Sequence, residues 1–168
     1  MIISLVGFMG TGKSTVGKYL ANRLGYQFID TDSEIEKVTG KEISQIFAEK
    51  GEAFFREVES SVLERLIKYN NNIVLATGGG IVLSAKNRQI IEENTRAFLL
   101  KASCEVIYER VKEEKHRPLL AVDNPLLRIK EILNERNALY NFFDNKIDTD
   151  GKSVEEIVEC IIKRLGEE

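Results

Sequence analysis

The stretch GFMGTGKST, residues 7–15, places three glycines within six residues and follows them at once with Lys13, Ser14 and Thr15. The five residues before it, IISLV, are apolar and rich in β-branched side chains, which predicts a buried strand. After Lys13, apolar residues recur at positions 16, 20 and 24, a spacing of four that predicts one face of a helix. We therefore expect the glycines to join the end of a strand to the N-terminus of a helix.

This glycine-rich junction is suited to binding an anion. A helix N-terminus presents unpaired N–H groups and the positive end of a dipole, and glycines let the backbone wrap closely around a bound group. The spacing Gly7-x4-Gly12-Lys13-Ser14 is the full phosphate-loop pattern, in which the lysine reaches the β- and γ-phosphates and the serine binds Mg²⁺. The alternative is an ordinary glycine turn before a helix. The complete pattern between a strand and a helix favours nucleotide binding.

The composition indicates one small globular domain. The chain has 168 residues, of which 43% are hydrophobic and 30% charged, so we expect a single domain over residues 1–168. The net charge of −3 argues against a nucleic-acid partner. Cys104 and Cys160 are too far apart to indicate a zinc site or a disulfide framework. Neither a signal peptide nor a membrane span is recognisable. We expect a cytoplasmic monomer with no membrane partner.

Strand-like and helix-like patterns alternate along the chain. Such alternation predicts an α/β fold, a three-layer sandwich in which helices cover both faces of a central five-stranded parallel sheet. Ligands of such sheets bind at the carboxyl ends of the strands, so the residues that follow each strand are the candidate site. The predicted strands are 2–6, 26–29, 73–76, 97–100 and 146–149, and the predicted helices are 13–24, 33–38, 43–49, 52–69, 86–92, 105–112, 126–143 and 154–165.

Two carboxylates follow the second predicted strand. Asp30 and Asp32 lie two residues apart, on either side of Thr31. Near bound phosphates, one could bind Mg²⁺ directly or through water, and the other could accept a proton from a substrate hydroxyl. The alternative is that Asp32 caps the helix that begins at Ser33. The position at the carboxyl end of a strand favours the functional interpretation.

Thr77 and three glycines, residues 78–80, follow the third predicted strand. Many phosphate-loop proteins end this strand in an acidic Mg²⁺ ligand, so the absence of an acid here strengthens the case for Asp30 as the metal ligand. Three successive glycines would let a ligand lie against bare backbone N–H groups. A plain flexible turn is the alternative.

Arginines supply the candidate cations of the site. Arg56 lies inside an apolar helix, where it could instead form a solvated salt bridge with Glu52 or Glu59. The segment 112–125 is charged, contains both prolines and lacks helical periodicity, so we expect a mobile lid. Within it, Arg117 is the candidate partner of a transferring phosphoryl group, and His116 is a bystander. Arg110 and Arg136 lie before and after this lid.

Together these motifs resemble those of the shikimate kinases, which are built on the nucleoside-monophosphate-kinase version of the phosphate-loop fold. The resemblance runs from residue 3 to about residue 165. It is carried by GFMGTGKST, DTD after the second strand, GEAFFREVE, TGGG, RPLL and RNALY, in the order and at the spacing of that family. This combination is far more specific than the phosphate loop alone.

The resemblance implies ATP-dependent phosphorylation of the 3-hydroxyl of shikimate, in the pathway to aromatic amino acids, with ATP and Mg²⁺ bound. It implies that Asp32 binds the hydroxyls of shikimate and is the candidate base. Arg56 and Arg136 would bind the carboxylate of shikimate, and Gly79 would offer backbone. Lys13, Asp32 and Arg117 would be the catalytic residues. The implied nucleotide and metal ligands are Gly10, Thr11, Gly12, Lys13, Ser14 and Thr15 at the phosphates, Arg117 above them, Arg110 and Lys152 beside the adenine, and Ser14 with Asp30 at Mg²⁺.

Two other functions are compatible with the same motifs. One is a kinase of a different small acceptor, such as gluconate or a nucleoside monophosphate. The other is a non-catalytic nucleotide-binding module, although Lys13, Asp32 and Arg117 are all present. A carboxylate with several hydroxyls best suits the combination of Asp32 with paired arginines, because arginine binds carboxylates through charge-assisted and often bidentate hydrogen bonds.

Overall fold

The structure is a computed structural model that describes residues 1–112 and 122–166. Within these residues, the strands are β1 Ile2–Val6, β2 Gln27–Asp30, β3 Ile73–Ala76, β4 Arg96–Lys101 and β5 Lys146–Asp148. They form one sheet in the order β2-β3-β1-β4-β5, and every neighbouring pair is parallel. The predicted five-stranded parallel sheet is therefore confirmed.

Helices pack against both faces of this sheet. In the described residues they are α1 Lys13–Leu24, α2 Thr31–Thr39, α3 Ile43–Tyr69, α4 Ala85–Asn94, α5 Cys104–Val111, α6 Pro125–Tyr140 and α7 Val154–Gly166, with a short 3₁₀ turn at Ile81–Leu83. One apolar cluster contains residues of α1 and α7, and a second contains residues of α3, α4, α5 and α6. The result is the three-layer arrangement that the sequence predicts.

The central strand β1 shows why the sheet is covered on both sides. All five of its residues are buried. Ile3 and Leu5 belong to the cluster that contains α1 and α7, whereas Ile2 and Val6 belong to the cluster on the opposite face. Successive side chains of a strand point to opposite faces, so a continuous apolar run is what a strand between two helical layers needs.

The long helix α3 joins two helices that the sequence predicts separately, 43–49 and 52–69. Gly51 interrupts it with φ 81° and ψ 173°, a backbone conformation that is not helical. Glycine adopts positive φ without the steric cost of a Cβ atom, so the chain can bend here and resume the helix at once. The predicted break between the two helices is therefore confirmed at Gly51, although the second helical segment follows the first without an intervening loop.

Helix α6 begins at Pro125 and ends at Tyr140, slightly displaced from the predicted range of 126–143. The side chain of Asn124 accepts a hydrogen bond from the backbone N–H of Leu127, and proline suits the first helical turn because its missing N–H has no helical partner to lose. Pro125 therefore belongs to the helix and not to the predicted lid. Most of that lid, residues 113–121, lies outside the described residues.

The register of the sheet places three chain segments side by side. β1 pairs with β3, and β3 pairs with β2, all in parallel, so the segments that follow these strands meet at one edge. These segments are 7–12, 31–32 and 77–80, the ones for which the sequence predicts a functional site. Among the described helices, none has the length and apolar character needed to cross a membrane.

Candidate active site

The loop after β1 takes a conformation that depends on its glycines. Gly7 has φ 152° and Gly10 has φ 74°. A Cβ atom on Gly7 would collide with the backbone oxygen of Leu100, and one on Gly10 would lie 2.8 Å from Cγ1 of Val111. The loop is thus pressed against the end of β4 and against α5, which leaves no room for side chains at these two positions.

Helix α1 starts directly at the end of this loop, and no side chain caps the backbone N–H groups of its first turn. Its N-cap is Gly12, which has no side chain to cap the helix, and its first turn contains no acidic residue. The positive end of the helix dipole is therefore not neutralised by the helix itself. Lys13 is buried, and its Nζ donates to the carbonyl oxygens of Gly7 and Phe8, each at 2.8 Å. These contacts hold the ammonium group inside the loop, as an anion-binding loop requires.

A cleft of about 490 Å³ opens beside this loop. Its lining includes the loop, the end of β2, part of the triple-glycine segment and α5. Predicted site residues that line it are Gly10, Thr11, Gly12, Lys13, Ser14, Thr15, Asp30, Asp32, Gly79 and Arg110.

Ser14 and Asp30, which both line the cleft, contact each other. The Ser14 hydroxyl donates to Oδ2 of Asp30 at 2.7 Å, and the other oxygen of Asp30 accepts from the backbone N–H of Asp32 at 3.0 Å. Asp30 is therefore the N-cap of α2, and the alternative that Asp32 caps this helix is wrong. The helix begins at Thr31, two residues earlier than the sequence predicts, because its cap is the last residue of β2.

This pair fits what a magnesium ion bound to a nucleotide needs from a protein. Mg²⁺ prefers oxygen ligands and is commonly held by one or two carboxylates together with substrate phosphates and water. Ser14 and Asp30 offer one hydroxyl and one carboxylate beside the loop. In the described part of the chain, no group of three acidic, histidine or cysteine side chains forms a metal cage of its own.

Each of the three glycines after β3 borders a predicted acceptor-binding side chain. A Cβ atom on Gly78 would lie 2.6 Å from Oδ1 of Asp32, and one on Gly80 would lie 2.5 Å from Nη2 of Arg56. The carbonyl oxygen of Gly79 accepts from Nη1 of Arg136 at 3.5 Å. The segment is therefore more than a flexible turn, since its lack of side chains makes room for a carboxylate and a guanidinium.

Arg56 forms both of the salt bridges that the sequence offered as its alternative role. Its Nη1 lies 2.8 Å from Oε2 of Glu59, and its Nη2 lies 3.2 Å from Oε1 of Glu52. The description of these bridges as solvated is wrong for Glu59, whose side chain is 1% exposed. Burial raises the pKa of Glu59, while the charge and hydrogen bond of Arg56 lower it. Pairing and acceptor binding are compatible, because the pair fixes the guanidinium beside Gly80.

Helix α6 brings Arg136 and Tyr140 to the same backbone oxygen. The hydroxyl of Tyr140 donates to the carbonyl oxygen of Gly79 at 2.7 Å, beside the longer contact from Arg136. Tyr140 is buried, which raises its pKa to about 12 against the opposing effect of the Arg136 charge. The helix that returns from the predicted lid is thus attached directly to the triple-glycine segment.

Arg110 and Lys152 both contact the segment at the carboxyl end of β5. Nη1 of Arg110 donates to the carbonyl oxygen of Gly10 and to the hydroxyl of Thr149, each at 3.1 Å. Nζ of Lys152 donates to the carbonyl oxygen of Asp148 at 2.8 Å. Arg110 therefore links the phosphate-loop residue Gly10 to the segment after β5, whereas the described lining of the cleft does not include Lys152.

The remaining predicted residues are placed as follows. Arg56 lies beside Gly80 and Arg136 contacts Gly79, although neither arginine is part of the described lining of the cleft. Arg117 and His116 lie outside the described residues.

Sequence reasoning gave Glu59 only as a solvated partner of Arg56, and it missed the supporting roles of the buried residues Tyr140 and Thr31. Glu59 holds Arg56, Tyr140 holds Gly79, and the hydroxyl of Thr31 accepts from the backbone N–H of Gly78 at 2.9 Å. Glu59 carried a signal, since it occupies the apolar stripe of its helix four residues after Phe55. The other two carried no comparable signal, because their contacts lie 47 and 61 residues away along the chain.

The fold and the loop define the class of this protein. A P-loop kinase has a complete phosphate loop between the first strand and the first helix of a parallel α/β sheet. Here that loop lines a cleft together with residues that follow β2 and β3. The comparisons with known proteins narrow this class. A family model described as shikimate kinase matches residues 9–166. The chain therefore belongs to the shikimate kinase family, as the motifs predict.

Individual relatives agree with the family model. A shikimate kinase of Thermodesulfovibrio yellowstonii is 49% identical over 96% of this chain and 92% of its own length. Among solved structures, a shikimate kinase from Acinetobacter baumannii in complex with shikimate has a TM-score of 0.93 and 37% identity, with 99% of this chain and 93% of that chain covered. A shikimate kinase from Aquifex aeolicus has a TM-score of 0.86 and 38% identity, with 99% and 96% covered.

Proposed function

We propose that this chain transfers the γ-phosphoryl group of ATP to the 3-hydroxyl of shikimate, giving shikimate 3-phosphate and ADP. The observation that carries the proposal is the convergence of Asp32, Arg56 and Arg136 on three successive glycines beside the phosphate loop. One carboxylate and two guanidinium groups suit an acceptor that has both hydroxyls and a carboxylate. A nucleoside monophosphate has no carboxylate for the two guanidinium groups. Gluconate has a carboxylate and hydroxyls, and membership of the shikimate kinase family is what favours shikimate over it.

The nucleotide side of the site would hold ATP by its phosphates. The unneutralised N-terminus of α1 and residues 10–15 would bind the phosphate oxygens, and Lys13 would reach the β- and γ-phosphates. Arg110 lies where the phosphate loop meets the segment after β5, which supports an adenine site at that end. Lys152 would border this site from the same segment. Arg117 would stabilise the transferring phosphoryl group from the predicted lid.

Ser14 and Asp30 would hold Mg²⁺, the first directly and the second through water. When bound, the ion neutralises charge on the phosphate oxygens during transfer. The two side chains already lie within hydrogen-bonding distance of each other, so little rearrangement is needed to present both oxygens to one ion. Because Asp30 is also the N-cap of α2, its position is fixed by the fold.

Asp32 would act on the acceptor. It lies in the first turn of α2 and against Gly78, so its carboxylate faces the space between the phosphate loop and the triple-glycine segment. The 3-hydroxyl oxygen would form a bond to the γ-phosphorus as the bond from that phosphorus to the bridging oxygen of ADP breaks. The hydroxyl proton would pass to Asp32 and then to solvent. Gly79 and the arginines would hold the acceptor in line, because this chemistry depends mostly on positioning and charge stabilisation.

A coupled assay of ADP release tests the proposal. We expect shikimate to stimulate ADP release from ATP strongly, whereas gluconate and AMP at the same concentration leave it near the background rate. The Lys13→Ala variant serves as the control for contaminating kinases, because it should lose the stimulation. Equal stimulation by gluconate or AMP would instead identify another acceptor, and no stimulation by any of the three would favour a non-catalytic module.

Three further features are part of the proposal. We treat residues 1–168 as one domain with a lid at about 112–125, and we expect the enzyme to be a cytoplasmic monomer. These expectations come from the sequence and stay predictions. Sedimentation of the purified chain with and without ATP would test the monomer directly.

A further inference from the structure

The hydroxyl of Tyr140 and the guanidinium of Arg136 both donate to one backbone oxygen, the carbonyl oxygen of Gly79. Both side chains come from α6, four residues apart and hence on the same face of the helix. The hydroxyl lies 2.7 Å from the carbonyl oxygen of Gly79, and Nη1 of Arg136 lies 3.5 Å from the same atom. The shorter and better-formed hydrogen bond is therefore the one from the neutral group.

The second donor to this oxygen matters because Arg136 is proposed to bind a ligand carboxylate. A carbonyl oxygen in a partly buried segment needs a donor, and a charged donor forms the stronger hydrogen bond. If the hydroxyl were absent, the oxygen would rely on Arg136, and binding of a carboxylate by that guanidinium would then have to break this contact. With the hydroxyl present, the oxygen keeps its partner when Arg136 turns to the ligand.

We infer that Tyr140 is a positioning residue for the acceptor: its hydroxyl donates to the carbonyl oxygen of Gly79, so that this oxygen keeps a hydrogen-bond donor when Arg136 turns to the acceptor's carboxylate. Burial supports this role. The side chain is 6% exposed and its ring packs in the core cluster beneath α6, so the hydroxyl has a fixed direction. The pKa of about 12 means that the hydroxyl keeps its proton, and stays a donor, over the whole range in which the enzyme can be assayed.

The inference rests on the proposed function, because it assumes that the acceptor carboxylate meets Arg136. Its test is Tyr140→Phe, which keeps the buried ring and removes only the hydroxyl. Calorimetric titration with shikimate should show a Kd raised about five- to tenfold, the scale of one lost hydrogen bond to a buried group. The Kd for ATP should stay within about twofold, because the Tyr140 hydroxyl donates to Gly79 and not to a residue of the phosphate loop. In kinetics the KM for shikimate should rise more than kcat falls.

A double-mutant cycle separates positioning from packing. In an Arg136→Lys background, the extra loss caused by Tyr140→Phe should be clearly smaller than in the wild type, because the group it serves has been replaced. Tyr108→Phe is the matched control, since Tyr108 is a partly buried tyrosine of α5 that packs against the same core cluster. It should leave both ligand affinities unchanged.

The outcomes are distinguishable from a failure of the proposed function. If the wild type does not bind shikimate, the function and this inference are both wrong. If the wild type binds shikimate and Tyr140→Phe binds it equally well, only the inference is wrong. Equal losses for ATP and shikimate, or equal losses in both backgrounds of the cycle, would show that the hydroxyl serves general packing and would also overturn it.

Discussion

Replacing Arg56 by alanine should cost the protein both folding stability and acceptor affinity, and a second substitution should restore only the first. The reason lies in Glu59, whose side chain is 1% exposed and which pairs with Arg56 at 2.8 Å. Asp32 and Glu52 also lie close enough for their charges to raise the pKa of Glu59. Without the guanidinium, a buried carboxylate would be left among two other acids.

The size of the stability loss follows from this burial. Removing one partner of a fully buried ion pair costs about 3–5 kcal/mol. Arg56 is 23% exposed, so water already screens part of the pair, and we expect about 2–3 kcal/mol. Replacing Glu59 by glutamine in the same chain removes the uncompensated charge, so Arg56→Ala/Glu59→Gln should regain most of this stability.

The loss should also depend on pH. Burial raises the pKa of Glu59 in the folded protein, and Arg56 opposes that rise. In Arg56→Ala the folded-state pKa should therefore rise further above the unfolded value of about 4.3. A raised folded-state pKa means that the folded form binds the proton more tightly, so stability is highest below the unfolded pKa and falls as the pH rises through the folded pKa. The variant should thus be nearer to wild-type stability at about pH 5 than at about pH 8.

Urea denaturation at both pH values, with calorimetric titration of shikimate, would measure these effects. Arg65→Ala is the matched control on the same helix, because Arg65 is 50% exposed and lies 3.9 Å from its partner Glu34. It should change stability by less than about 1 kcal/mol and leave shikimate affinity intact. Recovery of shikimate affinity in Arg56→Ala/Glu59→Gln would refute the assignment of Arg56 to the acceptor. A pH dependence equal to that of the wild type would refute the role of Arg56 in stabilising Glu59.

Substitutions at four other residues test the remaining parts of the site. Lys13→Ala should lower the transfer rate by at least about two orders of magnitude while the protein stays folded, as measured by single-turnover kinetics and circular dichroism; a variant with most of its rate would contradict the phosphate-loop assignment. Asp32→Asn should lower kcat while ATP affinity is retained. Asp30→Asn should instead raise the Mg²⁺ concentration needed for the half-maximal rate. An unchanged Mg²⁺ dependence in both variants would contradict this division of roles. Arg117→Lys should lower kcat, and Arg117→Ala should lower it further with less effect on shikimate affinity, because lysine keeps the charge but lacks the planar guanidinium; full activity in both would exclude a role in transfer.

The fold could be predicted because its signals are local. The strands β1 and β3 are buried throughout and are continuous apolar runs, and the helices on the sheet show a period near four. The partly exposed strands β2 and β5 could be located between the predicted helices to within a residue. The strand order was not predicted, because β1 pairs with β3 and β4 and not with β2, which follows it in the chain. The start of α2 was misplaced because Asp30 ends a strand and caps a helix at once, and no sequence pattern separates these two roles.

The candidate site could be read from the sequence only where its residues are adjacent in the chain and together form a recognisable motif. The phosphate loop is of this kind, because its glycines, lysine and serine are adjacent in the chain. The triple-glycine segment is of the opposite kind, since the space that would be filled by Cβ atoms on Gly78 and Gly80 is occupied by Asp32 of α2 and Arg56 of α3, which are distant in sequence. A flexible turn and a crowded ligand-binding wall have the same sequence, three glycines. They differ only in what lies against the bare backbone, and here that is the carboxylate of Asp32 and the guanidinium of Arg56, which we propose bind the acceptor. The same argument explains why substitution of either glycine by alanine should impair shikimate binding even though no side chain that contacts the ligand is removed.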